Sequence, residues 1–167
     1  IIGKQHDDGS FSLFGDGGDV DITSAAVYAL CGTDIPGAQE SAQRGADWLC
    51  GFDEYSTMGV RNCESTAQAV MALTAAGRAE KAAEAASQLE EYRRDGGYAH
   101  LPDGEVNRMA TAQALEAFAA LELSERGEQL FGRLADTPGG TDPAEHSVDS
   151  APETAEHSAE AAGEQSG

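Results

Sequence analysis

Apolar positions recur at three- and four-residue intervals in three alanine-rich runs, Ser24 to Leu30, Ala67 to Leu73 and Ala112 to Phe118. That spacing lines one face of an α-helix, whereas a half-buried strand needs strict alternation. An Asx residue stands just ahead of each run: Asp19, Asn62 and Asn107. Each is the expected N-cap, its side-chain oxygen accepting from first-turn amides. Four residues after each cap comes a threonine (Thr23, Thr66, Thr111), so the columns repeat at 43 and then 45 residues. Ala29, Ala72 and Ala117 match throughout, and Gln68 matches Gln113 where the first copy has Ala25. A fixed period of this length marks a helical repeat.

A second helical pattern follows each run: Pro36 to Cys50, Arg78 to Tyr92 and Ser124 to Leu134. Pro36 suits a helix start and Gly77 a helix end. The pattern predicts an all-α fold of three helical hairpins within residues 1–135, with copies at about 5–50, 51–92 and 93–135. Glycine-rich segments separate them, from Asp8-Gly9-Ser10-Phe11 to Gly18 and from Asp95-Gly96-Gly97-Tyr98 to Gly104. These read as turns, with a short hairpin at Pro102-Asp103-Gly104. In the middle copy Gly51 to Tyr55 is a degenerate version of the same loop.

Residues 136–167 have Val148 as their one bulky aliphatic and no aromatic. Such a segment cannot bury enough apolar surface to offset its ordering entropy, so it reads as an acidic, disordered linker or tail. It holds eight carboxylates and no Lys or Arg, which leaves 22 acids against 10 bases in residues 1–135. The whole chain carries a formal charge of -20. It therefore repels nucleic-acid phosphates and anionic membrane surfaces. No run of about 18 apolar residues suggests a membrane span, and no charged-then-apolar leader opens the sequence. Because it starts at Ile1 rather than a methionine, the expectation is a piece of a longer protein. Cys31, Cys50 and Cys63 fit no paired zinc spacing; they read as buried free thiols, or as one disulfide and one leftover thiol if the protein is exported.

The segment Gln5-His6-Asp7-Asp8-Gly9-Ser10-Phe11 ahead of a helix pair, at a period near 45, resembles the glutamine/aromatic repeat of squalene cyclases and the related repeat of prenyltransferase β-subunits. Phe11 stands where that motif ends in tryptophan. Asn62 to Gln68 and Tyr98 to Asn107 resemble secreted Gram-positive surface proteins that carry this repeat beside a transcobalamin-like domain. The resemblance covers residues 5–134. It implies a partial α/α toroid with one apolar edge where further pairs would dock. It also implies an extracellular or cell-surface location, a small-molecule ligand or other domains of the same protein as partners, and a cobalamin-like ligand by family analogy alone. No cofactor or metal is expected from the residues themselves.

Asp19-Val20-Asp21-Ile22-Thr23 is similar to the Asp-x-Asp-Asp-Thr motif of class II terpene cyclases, in which Asp21 would be the proton donor. Cationic cyclisation also needs a dry cavity lined by aromatic faces. Here Ile22 replaces the supporting carboxylate and aromatics make up only 6% of the chain. Asp19 is explained as a cap, and Asp21 lies in a first turn where the helix dipole favours the ionised form. Cys63, His100 and Asp103 do not reproduce the prenyltransferase zinc order, and the carboxylates Asp7, Asp8, Asp16, Asp19 and Asp21 have no EF-hand spacing. Gly15 to Asp19 lacks the lysine of a phosphate cradle. Thr23, Thr66, Gln68, Thr111 and Gln113 are the candidates for lining a ligand cavity, with interhelix hydrogen bonding as the other role for the two glutamines. The expected function is a non-catalytic ligand-binding or scaffold module of a surface-attached bacterial protein. The alternative is a fragment of a terpene cyclase or prenyltransferase-like enzyme acting on an isoprenoid.

Overall fold

The computed structural model describes residues 1–130; the tail read at 136–167 lies outside the described residues, as do 131–135. Five α-helices dominate: α1 Val20–Cys31, α2 Ala38–Cys50, α3 Cys63–Ala75, α4 Ala79–Gln88 and α5 Arg108–Glu125. Between them lie two short antiparallel hairpins, β1 Ser56–Thr57 with β2 Val60–Arg61 and β3 Arg93–Arg94 with β4 Gly97–Tyr98. Among the described residues no helix is long and apolar enough to cross a membrane.

Helix α3 is central. It packs against α1 on one side, α5 on the other and α4 along its length, while α2 packs on α1. The hairpins α1–α2 and α3–α4 therefore agree with the repeat. The third pair differs from expectation, since Ser124 belongs to the last turn of α5 rather than opening a new helix. The sequence around it is made of good helix formers, and the break comes at Gly127, whose φ of 72° ends the helix in the left-handed region. Residues 126–130 are not helical, and the remainder of the expected second helix, 131–134, lies outside the described residues. Helix α2 also begins later than Pro36, with Gly37 at φ 82° as its N-cap. Helix α4 gives way to a 3-10 turn over Leu89–Tyr92.

The core is built of many alanines and a few large side chains. Tyr55, Tyr92, Leu49, Leu73, Leu89, Val27 and Val70 are completely enclosed. Alanine contributes little area per residue but lets helix axes approach. At Gly45 of α2 a Cβ would stand 2.5 Å from the Val27 methyl of α1, so any side chain would push the two helices apart.

The loop ahead of each of α1, α3 and α5 has one job in common. Asp19 N–H donates to the Phe11 carbonyl (2.9 Å), and Asn107 N–H donates to the Tyr98 carbonyl (2.8 Å). The third loop is a ladder, continued by a bridge between Ala99 and Val106 that closes the expected hairpin at Pro102–Gly104. The middle loop is a tight hairpin, with Met58 and Gly59 both at positive φ (53° and 78°), as a two-residue primed turn requires. Its register sets Ser56 opposite Arg61, so Tyr55 and Asn62 directly flank the paired residues. Phe11, Tyr55 and Tyr98 are thus equivalent, and all three are buried.

Candidate functional site

Each cap is made by its own side chain. Asp19 accepts from Ile22 N–H (2.9 Å), Asn62 from Ser65 N–H (2.8 Å), and Asn107 from Met109 and Ala110 N–H (2.8 and 3.1 Å). The threonine one turn later ties the loop to the helix. Thr23 Oγ1 accepts from Phe11 N–H (2.9 Å) and donates toward the Phe11 carbonyl (3.1 Å). Thr111 Oγ1 accepts from Tyr98 N–H (2.9 Å) and donates to the Asn107 carbonyl (2.8 Å). Thr66 instead donates to the Asn62 carbonyl (2.9 Å) and meets the Tyr92 side chain. The Thr23 and Thr111 hydroxyls thus tie their loops to their helices, while the Thr66 hydroxyl bonds back to the start of its own helix.

The motif at Gln5 works the same way. Its amide donates to the carbonyls of Gly9 and Ser41, both at 2.8 Å, and its oxygen accepts from the Ser41 hydroxyl (2.8 Å), fastening the first loop to α2. Asp8 accepts from the Ser10 hydroxyl (2.6 Å) and amide (2.9 Å). Those bonds, the hydroxyl's first, hold the Asp8 carboxyl below its ordinary value. The His6 ring bridges Ser10 Oγ and Ser12 Oγ at 3.3 and 3.4 Å, and Arg44 closes the loop through the carbonyls of His6 and Asp7.

Asp21 lines a cleft together with Asp19. One carboxylate oxygen accepts from the Thr57 hydroxyl (2.5 Å), which lies 2.8 Å from Ser65 Oγ. With its proton on Asp21, Thr57 accepts from Ser65, so the three side chains link α1, β1 and α3. The other Asp21 oxygen is buried with no partner in the structure. The adjoining cleft, about 440 Å³, is walled by Leu13, Phe14, Ile22 and Met58. Phe14 is 91% and Met58 96% exposed, so this apolar wall is open to water.

Gln68 and Gln113 are half-buried on successive helices α3 and α5, and the Gln113 carbonyl oxygen is enclosed without a partner. A small cleft of about 180 Å³ lies at the C-terminal ends of α1, α3 and α5, bounded by Tyr28, Met71, Thr74, Ala120 and Ser124. None of the five cavity candidates lines either cleft. His100 Nδ1 pairs with Glu64 at 2.7 Å, and its carbonyl accepts from Cys63 N–H, while the Cys63 thiol faces the Ala110 carbonyl. Burial pushes that thiol up to about 12 and also raises Cys31 and Cys50, so all three stay protonated and unreactive near neutrality. All three cysteines are free. Among the described residues no group of three or more His, Cys, Asp or Glu side chains is placed to hold a metal ion.

Comparison with family models, curated proteins and solved structures finds no match to this chain. The geometry above stands on its own. The loop-to-helix ties that sequence reasoning missed carry one signal in the sequence: a threonine four residues after every cap, with a buried aromatic 11 to 13 residues before it.

Proposed function

We propose that residues 5–134 belong to an α/α toroid that serves as a non-catalytic binding or scaffold module of an exported, surface-attached protein. The observation that carries this reading is the use made of the polar repeat residues. Thr23 and Thr111 bond to loop backbone across loop-to-helix seams, Thr66 bonds to the start of its own helix, and Asp21 is held by Thr57 at a helix start beside open solvent. A cyclase acid must instead face substrate in a cavity closed to water, where desolvation keeps the carboxyl protonated until the substrate takes the proton. Residues devoted to holding repeats in register suit a module that presents surfaces.

Incubation of the folded chain with squalene or a prenyl diphosphate should give no cyclised or transferred product, with or without Asp21→Asn. Turnover by the native chain that disappears in Asp21→Asn, with circular dichroism unchanged, would replace this reading by the enzyme one. Export is checked separately, by protease accessibility of the full-length protein on intact cells.

A further inference from the structure

The second residue after each cap holds the same place in the repeat: Asp21 on α1, Glu64 on α3 and Met109 on α5. The second residue after each buried aromatic does likewise, at Leu13, Thr57 and His100. Where the third loop meets α3, these two positions set the Glu64 carboxylate against the His100 imidazole at 2.7 Å. Where the middle loop meets α1, they are Asp21 and Thr57, and the carboxylate receives a neutral hydroxyl instead. Its other oxygen is enclosed without a bond, and among the described residues no ion pair reaches Asp21 or the neighbouring Asp19. A half-buried carboxylate with no cation bonded to it is costly to fold around. An unmet group of this kind calls for a partner.

The cleft of about 440 Å³ beside Asp21 has the shape and chemistry for one. Its lining holds Asp19, Asp21 and the apolar Leu13, Phe14, Ile22 and Met58, and no Lys, Arg or His. Phe14 and Met58 are the most exposed large apolar side chains among the described residues, above Met109 (63%) and Leu115 (57%) on α5. Apolar groups gathered in the open around a polar centre mark a contact surface.

The occupant follows from charge and openness together. Sites for small molecules enclose most of the ligand, whereas this wall stands in water and suits a chain laid across it. A lysine side chain meets both demands, since its methylene stem packs on apolar surface while its ammonium reaches a carboxylate. The face of an aromatic ring such as Phe14 adds attraction for the cation. The formal charge of -20 draws a basic segment in from a distance. We propose that this cleft receives a lysine-bearing, apolar-flanked segment of a partner protein, its ammonium set against the carboxylates of Asp19 and Asp21 and its flanking side chains against Phe14 and Met58. The inference names a partner class for the binding module proposed above and rests on that reading, but the two fail separately. Isoprenoid turnover ends the reading, whereas a peptide left unbound ends this inference alone.

The test titrates the full chain with the blocked peptide acetyl-Gly-Leu-Lys-Leu-Gly-amide while the Met58 methyl and Phe14 amide resonances are followed by NMR. Both should shift saturably, with a Kd on the order of 1 mM that weakens as salt is added. Asp21→Asn should weaken binding about tenfold, the loss of a bond to a charged group. Phe14→Ser and Met58→Ser should weaken it about threefold each through lost apolar contact, and melt within about 2 °C of the parent because both side chains are exposed. If Asp21→Asn loosens the fold through the lost Thr57 bond, these two variants still decide. Leu115→Ser, on the exposed face of α5, should leave binding unchanged. Resonances that stay still at about ten times that concentration would overturn the proposal, as would equal shifts from the peptide with glutamate in place of lysine. Binding indifferent to Phe14→Ser and Met58→Ser would overturn it as well, since it marks general attraction to an acidic chain. Hexylamine bound as tightly as the peptide would assign the cleft to a small amine instead.

Discussion

The first and third loops hold their helices by a threonine clamp on the backbone of a buried aromatic, while the middle loop holds its helix without that clamp, by the most deeply buried of the three rings. Thr23 and Thr111 reach across 12 and 13 residues to Phe11 and Tyr98. Thr66 turns back to its own helix, and Tyr55 is fully enclosed with its hydroxyl donating to the Leu49 carbonyl (3.3 Å). What is preserved across the three copies is the outcome, a capped helix start fixed against a buried aromatic. The individual bond that achieves it is exchangeable. A copy with the clamp can do with a looser loop, and a copy without it relies on packing at the centre of the row, where α3 has neighbours on both sides.

That contrast is tested most severely at the rings. Tyr55→Ala should cost about 3–5 kcal/mol, the usual cost of emptying an enclosed aromatic site. Phe11→Ala should cost less, because Phe11 packs in a smaller satellite cluster with Ala26, Leu30, Ala38 and Ala42 rather than in the main core. Urea titration followed by far-ultraviolet circular dichroism measures both; equal losses would mean that the first loop depends on its ring as much as the middle loop does.

Gly97→Ala probes the clamp itself. A Cβ at Gly97 would stand 2.5 Å from Thr111 Oγ1, so the hydroxyl must leave Tyr98 N–H or the strand must shift. The expected loss is about 1–3 kcal/mol, typical of inserting a methyl into a packed site. Adding Thr111→Ser should recover little, since the clash is with the oxygen that makes the bond.

The helices and caps were legible in the sequence because both are local. An Asx side chain needs only the next three amides to act, so Asp19, Asn62 and Asn107 could be placed by spacing alone. The role of the threonines was not legible, since their partners are backbone groups a dozen residues away whose position depends on the folded loop. Thr23 and Thr111, candidates for lining a cavity, bond to the backbone of Phe11 and Tyr98. Helix ends were also misplaced where propensity ran past the true break, as at Ser124, whose hydroxyl caps back to the Leu121 carbonyl inside α5. The β1–β2 hairpin escaped notice because Ser56 to Arg61 has little alternation and its turn uses Met58, an unusual residue at positive φ. The absence of an enclosed cavity at Asp21 could not be read from a motif either, since it depends on where Leu13, Phe14 and Met58 point.

Smaller effects separate the copies further. Thr23→Val removes the acceptor of the Phe11 amide in a buried site and should cost about 1–3 kcal/mol, the desolvation penalty of an orphaned donor. Thr66→Val removes a bond to the Asn62 carbonyl, which still accepts from the Thr66 amide, so a loss of about 0.5–1 kcal/mol is expected. Losses in the reverse order would place the clamp in the middle copy. Asn62→Ala should cost about 1 kcal/mol through the lost cap, measured by the same titration.

The smallest effect belongs to Asp8, and its sign is fixed by its hydrogen bonds. The Ser10 hydroxyl and amide stabilise the carboxylate, lowering its pKa in the folded protein, with Trp48 and His6 adding in the same direction. The first loop is therefore stabilised by Asp8 above the unfolded value of about 3.9, and the contribution disappears as pH falls through the lower folded value. Asp8→Asn should lower the melting temperature slightly at pH 7, because the amide is a weaker acceptor for Ser10. The difference from the parent should fade as pH falls from about 4 toward 2, where the parent's own carboxyl is neutralised. The side chain is exposed, so water and salt screen the effect and it ranks below every buried bond above. Ser10→Ala serves as the control: in that background Asp8→Asn should lose most of this pH-dependent difference, since the hydroxyl that holds the carboxylate is gone. A pH profile left unchanged by Ser10→Ala would mean that the Ser10 hydroxyl is not what lowers the Asp8 carboxyl.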